Sequence, residues 1–201
     1  MPCAAASGAA ESDAIIATDL SALDRLDQSG FTNIYLPFAR YAIEAADKHN
    51  RAQQVPSAIL VDNVSLLNPA TISCGGKPLL AILDMDIAPG TPTELEIERQ
   101  NGFATILQIM RDSGIRLAWL ADASEAELQP MLDLLRGGEE PVLNSDDLQL
   151  FGHNAGYRKQ ERRWQLARDH CVVAIAGDHR ADFDELYQFL KDQDYAIRLE
   201  A

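Results

Sequence analysis

Two short apolar runs that each close in carboxylates constrain this chain more than any other feature. Leu79-Leu80-Ala81-Ile82-Leu83 leads into Asp84-Met85-Asp86, and Cys171 to Ala176 leads into Gly177-Asp178-His179-Arg180-Ala181-Asp182. Continuous apolar runs of this length read as strands buried on both faces, the pattern of a parallel sheet. In an open α/β sheet, ligands bind outside the carboxyl ends of the strands. Four aspartates brought to one sheet edge (Asp84, Asp86, Asp178 and Asp182) repel one another unless a cation stands among them. All-oxygen donors suit Mg²⁺, which uses a few carboxylates together with substrate phosphate. The two runs therefore point to a chain that handles a small phosphorylated substrate with Mg²⁺ as cofactor.

The segments around these runs carry helical and strand patterns in alternation, so the expected class is α/β. Apolar spacing predicts helices over Ala14 to Asp27 and over Asn33 to Lys48, with Pro37 in the first turn of the second. Residues Arg51 to Lys77 mix short apolar pieces with turn residues and are left unplaced. Phe103, Ile106, Leu107 and Met110 make the i, i+3, i+4, i+7 stripe of a helix over Asn101 to Ser113. Arg116 to Leu120 reads as a strand. Ser124 with Glu127 forms a capping box that opens a helix ending at Gly137-Gly138, with Pro130 as a kink. Leu148 to Phe151 reads as a weaker strand, Arg158 to His170 as a basic helix, and Tyr195 to Leu199 as a last strand. Asp182 is expected to cap a final helix with Phe183, Leu186, Tyr187 and Leu190 inward.

The chain has 201 residues, 47% of them hydrophobic, which is ample for one domain with a core. The expected organisation is a disordered tether over 1–12 and a single domain over 13–201, divided into a helical N-terminal part, 13–76, and a core, 77–201. A net charge of −14 with no basic stripe argues against a nucleic-acid partner and against an anionic membrane surface. A bound divalent ion and local cations still allow an anionic substrate. No stretch has the length of a membrane helix.

Cys3, Cys74 and Cys171 show neither a CxxC nor an even framework, so neither zinc nor a disulfide scaffold is expected, and Cys171 reads as a small core residue. The small, polar stretch after Cys3 has the look of a tether behind a lipid-bearing cysteine. That reading implies a removed signal and a periplasmic or cell-envelope location; the other reading is a loose start to a cytoplasmic chain. His49, His153, His170 and His179 have no metal-ligand spacing.

At this point the order of motifs resembles a known family. Strand-Asp84-x-Asp86, a helix and strand, Lys159, then strand-Gly177-Asp178-x-x-x-Asp182-Phe183 is similar to the haloacid dehalogenase (HAD) superfamily. Lys159-Gln160-Glu161-Arg162-Arg163 followed by Val172 to Phe183 resembles more specifically the bacterial class C (subfamily IIIB) acid phosphatases. The resemblance covers roughly Lys77 to Leu190. It implies a three-layer Rossmann-like HAD fold with a mostly parallel central sheet, helices on both faces, a minimal cap and a helical N-terminal extension. It also implies a Mg²⁺-dependent acid phosphatase acting on phosphomonoesters.

Under that resemblance Asp84 is the nucleophile that forms an aspartyl-phosphate, and Asp86 protonates the leaving oxygen and then deprotonates water. Lys159 holds Asp84 and the phosphate. Asp84, Asp178, Asp182 and a backbone carbonyl at Asp86 hold Mg²⁺. The chain departs from the family at two positions. Ala88 stands where a threonine or valine is usual. Ala121 stands where a serine or threonine binds the transferring phosphate, a donor whose loss typically costs on the order of 3 kcal/mol. Asp122, beside it, reads as a cap, a turn residue or a substrate contact. Each residue also has a plainer reading: Asp182 as a helix N-cap, Asp178 as a turn cap, and Lys159, Arg162 and Arg163 as a solvated helix face. Two alternatives to the enzyme follow: a HAD-fold binding or regulatory protein with weakened catalysis, and a receiver-like domain that accepts phosphate on Asp84.

Overall fold

A computed structural model of the chain describes residues 20–28, 33, 35–85, 102–137, 141–152, 159–177 and 180–187, and the backbone of 197–198. The expected tether and the residues Asp86, Ala88, Asp178, His153 and His179 lie outside the described residues.

The N-terminal part begins with α1 (Leu20–Gln28) and α2 (Leu36–Asn50). Pro37 sits in the first turn of α2, where a missing N–H is tolerated, and Phe38, Ala39, Ala42, Ile43, Ala45 and Ala46 form its buried stripe. The stretch that sequence patterning leaves unplaced is an antiparallel pair, β1 (Pro56–Leu60) and β2 (Thr71–Ser73). The N-terminal part is thus helical only in its first half.

The core opens with β3 (Leu79–Asp84) and continues through α3 (Phe103–Asp112), β4 (Arg116–Ala121), α4 (Glu125–Arg136), β5 (Leu148–Phe151), α5 (Lys159–Asp169), β6 (Cys171–Gly177), α6 (Arg180–Phe183) and β7 (Ile197–Arg198). The five strands β3 to β7 form one sheet in the order β5-β4-β3-β6-β7, and every neighbouring pair is parallel. The apolar runs explain the middle of that order: β6 is buried along its whole length and β3 along all but its last residue. Alternate residues face opposite layers. Leu79, Ala81 and Leu83 pack with α1, α2, α3 and α4, whereas Leu80 and Ile82 pack with Leu166 and Ala167 of α5 and with Phe183 of α6. The result is a Rossmann-like α/β arrangement of sheet between two helical layers.

Local chemistry sets the element ends. The four stripe residues of α3 are all buried, and Gly102 takes φ +75° just before it. Ser124 and Glu127 close the reciprocal capping box of α4, which continues through Pro130 to Arg136. The last helix differs from expectation. α6 has only four residues, Asp182 lies inside it rather than before it, and Leu186 is exposed. The reason is that Asp184 turns the chain, its Oδ1 accepting hydrogen bonds from the backbone N–H groups of Leu186 and Tyr187.

The cysteine reading is also corrected. Cys74, just past β2, and Cys171, at the start of β6, form a disulfide across a sequence separation of 97. Spacing could not reveal it, because only the packing of the β1–β2 pair against the core brings the two thiols together. Ser57 Oγ donates to the carbonyl of Val172 (3.2 Å) and Trp164 Nε1 to that of Leu60 (3.2 Å), fixing the same contact. Among the described residues, no helix is long and apolar enough to cross a membrane.

Candidate active site

The sheet starts in its centre. From β3 the chain moves outward to β4 and β5, then returns to the other side of β3 for β6 and β7. That reversal makes the carboxyl ends of β3 and β6 the topological switch point, the place where open α/β sheets bind ligands. Asp84 is the last residue of β3 and Gly177 the last of β6, so both strands end at this switch point.

Three charged side chains meet there. Lys159, the first residue of α5, places its Nζ 2.7 Å from Asp84 Oδ1 and 3.6 Å from Asp182 Oδ1. The side chains of Lys159, Asp84 and Asp182 are 4%, 2% and 3% exposed. Ion pairs this deeply buried are costly to desolvate, so they are weak evidence for a stability role and stronger evidence for a geometric one. Two carboxylates share the Lys159 ammonium. A further cation stands behind it. Arg163 is fully buried, burial pulls its guanidinium below the ordinary arginine range, and Asp84, Glu185, Asp184 and Asp182 oppose that shift.

Gly177 has a specific reason to be glycine. A β-carbon built there would stand 2.5 Å from Asp182 Cβ and 2.8 Å from its Oδ2. Asp182 thus occupies the space that any other side chain at 177 would fill.

The other expected residues separate into two groups. Ala121 is fully buried and packs in the apolar cluster with Trp119 and Leu128, so its methyl group contributes packing and no donor. Asp122 is 49% exposed, with Oδ1 3.6 Å from Arg162 Nη1. Asp86 and Asp178 lie outside the described residues.

Arg162 and Arg163 do not form a solvated face. Arg162 donates through Nη1 to the carbonyls of Ala121 (2.9 Å) and Leu150 (3.3 Å) and through Nη2 to that of Gly152, which joins the carboxyl ends of β4 and β5. Sequence reasoning treats such residues as surface cations, yet one signal was readable. A crossover helix between parallel strands starts above the carboxyl edge, so cations in its first turn meet strand-end carbonyls and acids.

The donors fit a hard divalent cation in kind, since Asp84 and Asp182 bring carboxylate oxygens to the same lysine at the carboxyl edge. Among the described residues, no group of three or more His, Cys, Asp or Glu side chains forms a ready ligand set. In comparisons with known proteins, no protein-family model matches this chain and no curated protein matches it in sequence.

Proposed function

We propose that this chain is a Mg²⁺-dependent phosphohydrolase of the HAD type, cleaving phosphomonoesters through an aspartyl-phosphate on Asp84. The observation that carries the reading is the buried Lys159–Asp84–Asp182 cluster at the carboxyl edge of the central strand. In this reading Asp84 attacks phosphorus while the bond to the leaving oxygen breaks, and Asp86 gives that oxygen a proton. Water then attacks the phosphoryl group, Asp86 takes its proton, and phosphate leaves. Lys159 fixes the Asp84 carboxylate and lies where it can neutralise a phosphate oxygen. Mg²⁺, held by Asp84, Asp178 and Asp182, would supply the remaining neutralisation of the equatorial oxygens. The Cys74–Cys171 disulfide supports an oxidising location such as the bacterial periplasm or cell envelope.

A second reading has its own observation. The buried methyl group of Ala121 leaves the edge of β4 without the hydroxyl that phosphatases of this type use, which favours a HAD-fold binding or regulatory protein that holds metal or phosphate without turnover.

Release of phosphate from an aryl phosphate, with and without Mg²⁺, tests both. Metal-dependent release that disappears in Asp84→Asn is the expected result. Absence of release in the wild type, with Mg²⁺ still raising its melting temperature, would favour the second reading.

A further inference from the structure

We infer that Arg163 is a positioning residue for the acid-bearing turn after β6: it sets where the Asp182 carboxylate stands relative to Lys159 and Asp84. The inference rests on the proposed role of Asp182 as a metal-site acid and deepens it.

A helix of four residues cannot satisfy its own carbonyls. In α6 the Arg180 carbonyl accepts from the Asp184 N–H, but those of Ala181 and Asp182 point to Arg163 instead. Arg163 Nη1 donates to Asp182 O at 2.7 Å and Nη2 to Ala181 O at 3.1 Å. Nη2 also donates to Gln160 Oε1 at 3.0 Å. That same oxygen accepts the Glu185 N–H at 3.1 Å, and Gln160 Nε2 donates to Asp184 Oδ2 at 3.2 Å. With the Gln160 N–H donating to Glu185 Oε2 at 3.5 Å, the start of α5 therefore grips residues 181–185 through five hydrogen bonds. It also carries Lys159, which meets Asp84 and Asp182. One short piece of helix thus fixes both the cation and the turn that carries the acid.

Stability alone does not account for this choice. Arg163 is fully buried, and its Nε has no hydrogen-bond partner among the described residues. An apolar side chain of similar volume would avoid the desolvation cost. What only a planar fork provides is simultaneous reach to two adjacent carbonyls and to Gln160.

The test compares wild type with Arg163→Lys and Gln160→Leu in the full chain, using two readouts. The first is the acetylation rate of Lys159 by acetic anhydride, followed by mass spectrometry. Lys77, which donates to Ala167 O at 2.8 Å toward the far end of α5, is the internal control. The second is Mg²⁺ affinity by calorimetry. In both variants Lys159 should acetylate faster while Lys77 keeps its wild-type rate. The Mg²⁺ Kd should rise about tenfold or more, as expected when the support behind a metal ligand is lost. Wild-type reactivity at Lys159, an equal rise at both lysines, or an unchanged Kd in a protein that binds Mg²⁺ would each overturn the inference. A wild type that binds no Mg²⁺ overturns the metal reading instead, and the lysine readout then decides positioning by itself.

Discussion

Gly177 and Asp182 occupy one another's space: the α-carbon hydrogen of the glycine lies where a β-carbon would stand 2.5 Å from Asp182 Cβ. The close approach packs the Gly177 backbone at the end of β6 directly against the Asp182 side chain of α6. Gly177→Ala must therefore displace Asp182 or the strand end. The expected cost is about 1–3 kcal/mol of stability, the range for overpacking a filled site. Phosphate release should fall more steeply than stability, because the displaced group is the acid itself. Urea unfolding and turnover measured on the same variant check this.

Lys159 Nζ lies within 4 Å of both Asp84 and Asp182. Lys159→Met leaves two buried carboxylates to face each other without it. Removing one partner of a buried pair typically costs about 3–5 kcal/mol. The variant should unfold at lower urea by that amount and show no phosphate release. A variant of near wild-type stability would mean that the carboxylates find solvent or another cation.

The Cys74–Cys171 disulfide closes a loop spanning 97 positions and ties the β1–β2 pair to β6. By the chain-entropy argument, closing a loop of that length stabilises by up to about 4–5 kcal/mol. Urea midpoints with and without dithiothreitol should differ accordingly, and Cys74→Ser with Cys171→Ala should match the reduced wild type. A midpoint insensitive to reductant would show that the two thiols do not pair in solution.

Asp147 organises the opposite layer. Its buried carboxylate accepts from Arg111 Nε (3.1 Å) and Nη2 (2.7 Å), from Trp119 Nε1 (3.0 Å) and from the Asn144 N–H (3.0 Å). Asp147→Asn keeps the shape but offers one acceptor oxygen and no charge to four donors. A loss of about 3 kcal/mol in urea unfolding is expected, in the range for a broken buried charge network.

Much of the scaffold was legible along the chain. The apolar runs of β3 and β6, the stripe of α3 and the capping box of α4 are local patterns, and each appears at or within a residue or two of its expected place. Such patterns survive because period, capping and burial on both faces act over a few residues. The β1–β2 pair was not legible, since short strands with little alternation are defined by their partner. The length of α6 was missed for a similar reason, because the Asp184 side chain ends it through hydrogen bonds that composition does not announce.

The sequence by itself determined the α/β class, the parallel character of the central strands and the delivery of Asp84 to the end of β3, because burial patterns and the position of charge after an apolar run are properties of contiguous residues. Only the tertiary structure decided that Lys159 meets Asp84 across 75 positions, that Arg162 and Arg163 are buried, that Ala121 packs into an apolar layer, and that Cys74 finds Cys171. Those outcomes depend on strand order and on the seating of one crossover helix. They arise from contacts between segments far apart in the chain, where no local period carries the information.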